Sequence, residues 1–382
     1  MRLPTFYSTR VHNDYAYRHT IAFSHQATGK RVRITIKRIA EELGVSHSTV
    51  SRVLNDKHSA LVSESTRDRI VQAASQMGYR PSRIAQALQG KGTQLIGVLV
   101  PDGADYFFHD VVRSLRHTLD ESGYELMVFA SSAQSTAASW HRVLQWDLDG
   151  VFVFDYLFYV DGLWEALTQH KGAIPPIVGL FSSKSQLRDY VCLDFRSAMN
   201  LLLAHLEGEG CRRFGYMSLP GSFHPSEQRY AVFSEFTAAR GLTQVDIPVL
   251  EGRSTLMEGA HEGFAAWLRT GQERPDALFC QNDEIALGAY RALRDAGISI
   301  PRDVALAGCD DLPYMPYLET PLTSLSLPVR DACRHGWTLL QNRMADPDGP
   351  PLRITLDVNL RLRASCIKGA TVVSNVASTG GA

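Results

Sequence analysis

Four side chains are placed by type and spacing to do recognition chemistry: His47, Ser48, Ser51 and Arg52. They stand at i, i+1, i+4 and i+5, so a helix carries them on one strip. Val50, Val53 and Leu54 then fall on the opposite face. Short polar side chains followed by an arginine, near the start of a short helix, suit the edges of base pairs in a major groove. The arginine fork spans O6 and N7 of guanine, and His47 and Ser48 are short enough to read adjacent edges. Thr49 and Asn55 border the strip and join the candidate DNA contacts. Thr35 and Ser46 each precede a run with helical spacing, and the backbone N–H groups at such helix starts favour phosphate. The competing reading is an ordinary helical pair with a solvated polar face. Local charge favours nucleic acid.

That charge is hidden in the total. The 382 residues carry a net charge of −1. Residues 1–90 hold 14 basic and 6 acidic side chains, a net of +8, and the remainder hold 25 and 34, a net of −9. Such asymmetry predicts that one end meets a polyanion and the other does not. A 45% hydrophobic, 21% charged composition excludes collagen, wholesale disorder and coiled coil. No stretch reaches the roughly 18 apolar residues of a membrane helix; Asp155 interrupts the best run, Val151–Val160. The N-terminus lacks the apolar core of a signal peptide, so a cytoplasmic, nucleoid-associated protein is expected. Six dispersed cysteines without a C-x-x-C pair read as buried free thiols, and no metal is expected.

The strip needs a scaffold. Residues 1–33 read as a disordered basic arm and 34–80 as an all-α headpiece. Thr35 caps a helix with Ile36, Ile39, Ala40 and Leu43 inward, stopped by Gly44. Ser46 caps the second helix, and Gly44-Val45 makes the pair a helix-turn-helix. Ser63 caps a third with Ile70, Val71, Ala74 and Met77 inward, stopped by Gly78. Residues 81–92 form a short helix and linker. Residues 93–366 change rhythm, with apolar strand runs at 95–100, 125–130, 150–154, 177–181, 191–193, 214–219, 277–280, 304–308 and 324–327. Amphipathic helices between them predict parallel sheets in a two-lobed α/β core. Residues 367–382, without a heptad, read as a flexible tail.

The run from Ile34 to Asn55 resembles the headpiece of the lactose-repressor family of bacterial transcription factors. Val62-Ser63, Thr66-Arg67 and the stretch Met77–Ser82 share the likeness. Arg83–Leu88 resembles the family's hinge helix. Ile96–Asp102, Asp105–Phe108, Asn282–Gly288, Val304–Asp311 and Pro321–Ser324 extend it into a core resembling the periplasmic-binding-protein fold. The resemblance implies a homodimer on a pseudo-palindromic operator, controlled by a small-molecule effector. His47, Ser48 and Arg52 match base-reading positions. Leu88 matches the leucine that wedges into the minor groove, and Arg83 joins the DNA contacts. Arg229 matches the family's effector-binding arginine. Arg38 departs from the pattern, since an acidic residue is usual after the lysine of the first helix.

Ligands of such sheets sit beyond the carboxyl ends of the strands. Tyr106 and Phe107 follow the first strand, Phe223 the sixth, and Asn282 and Asp310 end two strands of the second lobe. A carboxylate, an amide and aromatic faces suit a hydroxylated ring, though core packing explains the aromatics equally well. Asp194 matches a common family position and is expected to hold lobe geometry. The sequence from Gly252 to Gly259 lacks the aromatic ring of many sugar-responsive members, leaving a sugar, a sugar acid, an oligosaccharide or a purine-like effector open. Gly90–Thr93 lacks phosphate-loop spacing, and the H-E-x-x-H and G-x-S-x-G motifs are absent, so neither enzyme nor cofactor is expected. The alternative class is a solute-binding protein without DNA function.

Overall fold

The computed structural model describes residues 34–54, 62–79, 92–101, 106–131, 136–154, 159–182, 187–224 and 227–368. The arm 1–33, Asn55, Arg83, Leu88, nearly all of the hinge 81–92 and most of the tail 367–382 lie outside them. Two compact units are present, 1–85 and 86–382.

In the first unit, α1 (Ile36–Leu43), α2 (His47–Leu54) and α3 (Glu64–Gln76) close around Ile39, Ala40, Val50, Val53, Ile70 and Ala74. Thr35 Oγ1 accepts from the Arg38 N–H at 3.3 Å, and Gly44 ends α1 with φ +64°. Ser46 Oγ accepts from the Thr49 N–H at 3.0 Å and starts α2. Each large side chain removed from water here contributes roughly 1.5–3 kcal/mol. Two expectations for α3 need correction. Val71 is 50% exposed, because one residue past Ile70 rotates it 100° off the line joining Ile70, Ala74 and Met77. Ser63 occupies the N-cap, but its hydroxyl donates to Thr66 Oγ1 at 2.9 Å and caps no backbone N–H.

The second unit holds two six-stranded sheets. The first is ordered β11-β5-β4-β3-β1-β2 and the second β12-β10-β9-β8-β6-β7. Their strands are β1 (Leu95–Pro101), β2 (Glu125–Ser131), β3 (Gly150–Phe154), β4 (Ile177–Ser182), β5 (Asp189–Asp194), β6 (Arg213–Ser218), β7 (Thr243–Pro248), β8 (Ala277–Cys280), β9 (Ala305–Asp310), β10 (Thr323–Ser326), β11 (Arg353–Asp357) and β12 (Asn359–Arg361). All pairings are parallel except β10 with β12. Helices α4 (Tyr106–Asp120), α5 (Thr136–Val143), α6 (Tyr159–Gln169), α7 (Arg196–Gly208), α8 (Gln228–Ala239), α9 (Leu256–Arg269), α10 (Asp283–Asp295) and α11 (Val329–Ala345) supply the crossovers and cover.

The nine expected strands are all present, with β7, β11 and β12 in addition. These three are sheet edges. Their side chains are mostly exposed or half-buried, so they lack the continuous apolar run of strands covered on both faces. The chain passes between lobes three times, at Phe195, at Leu327-Pro328 and at Val358. Phe195 and Val358 are buried with Leu327 packed on the same core. The Val358 N–H donates to Asp194 O at 3.2 Å, which ties the first crossing to the third. This arrangement turns the carboxyl ends of β1, β3 and β4 in one lobe and β6, β8 and β9 in the other into the edges from which loop residues project.

Candidate functional site

On the headpiece, the sequence strip is present as a surface. Val50 and Val53 are buried on one side of α2, while His47, Ser48 and Arg52 are exposed on the other and Ser51 is half-buried. The local fold fixes this. The Ser46 hydroxyl meets those of Ser48 at 2.8 Å and Thr49 at 2.7 Å, so the cap organises the first turn of the strip. Thr49 is therefore half-committed to the cap. Thr35, Lys37 and Arg38 are exposed at the start of α1.

In the second unit, the carboxyl ends of β8 and β9 gather around Arg229, near the start of α8. Its Nη1 donates to Gln281 O at 2.9 Å and lies 3.9 Å from Cys309 Sγ. Its guanidinium carbon stands 5.1 Å from the Phe195 ring centroid. Its Nε donates to Glu227 Oε1 at 2.9 Å, and both side chains are 10% exposed. Arg229 thus touches the ends of two strands and the first interlobe crossing together. Burial, with the Asp310 carboxylate beside it, pushes the Cys309 thiol well up.

Asp310 closes β9 with φ +115° and Asp311 follows with φ +56°. Such conformations cost an L-residue of order 1–3 kcal/mol and persist where surroundings over-determine them. Here the Asp311 N–H donates to Ser324 Oγ at 3.0 Å, and the Leu312 N–H to Asp283 Oδ2 at 2.8 Å. Ser324 Oγ donates to Asp283 Oδ1 at 2.7 Å. Arg363 Nη2 donates to Asp311 Oδ1 at 2.6 Å. Burial pushes the Asp283 carboxyl up to about 7 against the pull of the Leu312 and Ser324 donors. Gly308 is needed for this packing, since a Cβ there would stand 2.2 Å from Asp283 Oδ1.

The other expected residues are dispersed. Tyr106 is 56% exposed, and its ring meets Tyr314 of the opposite lobe edge-on at 5.3 Å. Phe107 packs edge-on against Phe181 at 5.2 Å and Phe108 at 5.3 Å, in the first-lobe core. Phe223 meets Tyr216 and Tyr230 at 6.2 and 5.7 Å. Asn282 is the N-cap of α10, its Oδ1 accepting from the Ile285 N–H at 2.9 Å. Asp194 Oδ1 accepts from the Arg196 N–H at 2.8 Å, consistent with a role in lobe geometry.

Sequence reading missed Glu227, Gln281, Phe195 and Tyr314. Glu227 caps α8, with Oε2 accepting from the Tyr230 N–H at 2.8 Å and the Tyr216 hydroxyl at 3.1 Å. Glutamate is an uncommon cap, so no local signal marked it. Gln281 is 2% exposed, its Oε1 bonded by Ser218 Oγ. Its Nε2 and Gln228 Oε1 are the buried side-chain polar atoms without a partner among the described residues.

The description "Bacterial regulatory proteins, lacI family" matches residues 35–82, and "Periplasmic binding protein-like domain" matches 203–366. The chain is 27% identical over 301 residues to the HTH-type transcriptional regulator AscG of Escherichia coli K12, covering 78% of this chain and 88% of that protein. It is 27% identical over 321 residues to the HTH-type transcriptional repressor PurR of Vibrio vulnificus, covering 82% and 93%. Among solved structures it resembles a lac repressor dimer bound to operator and the anti-inducer ONPF, with TM-score 0.74 and 23% identity over 88% of this chain and all of that one. That likeness shows the fold: a helix-turn-helix region and a two-lobed core of parallel sheets.

Proposed function

The chain belongs to the lacI family of bacterial regulatory proteins and is a DNA-binding transcriptional regulator under small-molecule control, and we propose how its residues divide that work. A homodimer binds a pseudo-palindromic operator, and α2 enters the major groove. His47, Ser48 and Arg52 read base edges. Thr35, Ser46 and the N–H groups they flank hold phosphate, with Arg38 adding a backbone contact. Thr49 and Ser51 border the read strip. Leu88 wedges into the minor groove from a hinge helix that Arg83 helps to anchor, unstacking a base step at a few kcal/mol in return for a bent duplex.

The observation that carries the reading is the two-sidedness of α2. Val50 and Val53 are buried, while His47, Ser48 and Arg52 are exposed, within a segment matched as lacI-family DNA-binding sequence. A solute-binding protein has no use for such a surface. The relatives named above are transcriptional regulators, not enzymes, and cytoplasmic action on DNA follows the same reading.

The effector occupies the cleft whose candidate lining is Tyr106, Phe107, Phe223, Arg229, Asn282 and Asp310. Arg229 contacts Phe195 at the first crossing, so a ligand that moves the arginine bears on the lobe junction. Coupling of about 1–3 kcal/mol between effector and operator is enough to switch occupancy. The test is Arg52→Ala against operator and random DNA at matched salt. Loss of about 1–3 kcal/mol confined to operator is expected; equal loss on both DNAs, or none, removes the base-reading role.

A further inference from the structure

Gln281 follows β8 with all of its polar groups but one engaged. Its N–H donates to Met217 O at 2.9 Å, which carries the pairing of β8 with β6 to their carboxyl ends. Its C=O accepts from Arg229 Nη1 at 2.9 Å. Its side-chain Oε1 accepts from the hydroxyl of Ser218, the last residue of β6, which is fully buried. The next residue, Asn282, is the N-cap of α10. Held at all these points, the amide has no slack to turn towards another partner.

The remaining group is Nε2. It is buried, without a partner among the described residues, on a side chain whose residue is 2% exposed. A primary amide has an acceptor tip and a donor tip. Ser218 offers a single hydroxyl, so one tip stays unbonded whichever way the amide is turned. Burying such a group unbonded lowers stability, and an apolar side chain of the same size carries no such penalty. An amide that persists there calls for a partner from outside the protein. Its position suits one: ligands of parallel sheets come to rest beyond the carboxyl ends of the strands, and Arg229 stands against this same residue.

We infer that Gln281 is a specificity-determining residue on the floor of the effector cleft, its spare amide group bonding a hydroxyl of the ligand. A hydroxyl both donates and accepts, so it satisfies either tip of the amide. The inference rests on the cleft being the effector site.

Full-length protein is used throughout. Ser218→Ala/Gln281→Met removes both ends of the buried bond together with the spare group, and its melting temperature without ligand should rise by about 2–4 °C. A fall, no change, or a variant that does not fold overturns the inference, because the amide is then satisfied by the protein itself. Calorimetric titration follows with glucose, galactose, ribose and adenosine, each beside its monodeoxy analogues. For a parent compound that binds, Gln281→Met should weaken affinity about 10-fold. One deoxy analogue should lose about 10-fold on wild type and nothing further on Gln281→Met, since the missing hydroxyl and the missing amide are two ends of one bond. Losses that multiply at every hydroxyl overturn the inference. So does a parent lost in Arg229→Gln but bound equally by wild type and Gln281→Met. A parent whose affinity survives both Gln281→Met and Arg229→Gln places the effector site elsewhere and overturns the cleft reading itself. Should no parent bind, the melting temperatures decide.

Discussion

Replacing Asp283 by asparagine tests the buried network under the Asp310–Leu312 turn. The residue is fully buried, and its carboxylate receives the Leu312 N–H and the Ser324 hydroxyl. Asp311 adds negative charge nearby and Arg363 partly offsets it, but loss of water is the largest influence and pushes the carboxyl up to about 7. An unfolded aspartate titrates near 3.9. Between those two values the folded protein holds a proton that the unfolded chain has released. The stabilisation is therefore complete below about pH 4 and is lost as pH rises through about 7. At about 1.36 kcal/mol per pH unit the swing is roughly 4 kcal/mol. Asparagine cannot ionise, so the stability of wild type relative to Asp283→Asn should fall by about that amount between pH 4 and pH 8. With about 2–4 °C per kcal/mol for domains of this size range, the melting-temperature difference should move by roughly 10 °C. Calorimetry of both full-length proteins at pH 4, 5, 6, 7 and 8 measures it. A difference that stays flat with pH, or that grows in favour of wild type towards pH 8, refutes the reasoning and means that the Leu312 and Ser324 donors outweigh burial.

Three further outcomes are expected. Gly288→Ala should destabilise the core by about 1–3 kcal/mol or more in urea unfolding, because a Cβ there meets Met257 O at 2.3 Å and His261 N at 2.8 Å, backbone atoms of α9 that cannot turn away; unchanged stability would show that α9 and α10 separate easily. Arg343→Met should cost about 3–5 kcal/mol by leaving Asp189 charged and buried. Arg343 also binds Gly349 O at 2.7 Å and Pro350 O at 2.8 Å, so Asp189→Leu/Arg343→Met should recover only part of the loss; full recovery of melting temperature would contradict the role of those carbonyls. Ser46→Ala should lower headpiece stability by about 1 kcal/mol, seen as faster amide exchange at Thr49, whose N–H the Ser46 hydroxyl holds at 3.0 Å; unaltered exchange there would mean that the cap contributes little.

The headpiece was legible almost residue by residue. Ser/Thr caps, Gly stops and a 3.6-residue apolar period act within about ten residues, and the observed α1 and α2 follow them. Val71 shows the margin of that logic: on α3 an apolar type beside a core position reads as inward, but helix phase turns it out. The interior strands were legible because burial on both faces demands unbroken apolar runs. The edge strands β7, β11 and β12 were not, because a strand with one neighbour can carry polar residues.

The proposed effector site was legible in kind but not in arrangement. Arg229 and Asp310 stand out by position after strands and by family likeness, and Arg229 Nη1 lies 3.9 Å from Cys309 Sγ, the residue before Asp310. Asn282, chosen for its amide, is engaged in capping α10. Phe107, chosen for its ring, is packed into a core. A side chain's type states what bonds it can make, while its neighbours decide which it does make.

By itself the sequence determined the division of labour: a basic helical end whose polar strip faces outward, and an acidic α/β body. Those properties are local or additive, so order along the chain suffices to read them. Only the tertiary structure decided the surroundings of Arg229. Gln281 and Cys309, 52 and 80 positions away along the chain, reach it from the carboxyl ends of two strands, and those contacts exist only once the sheet brings the strand ends to the start of α8 and removes water from between them.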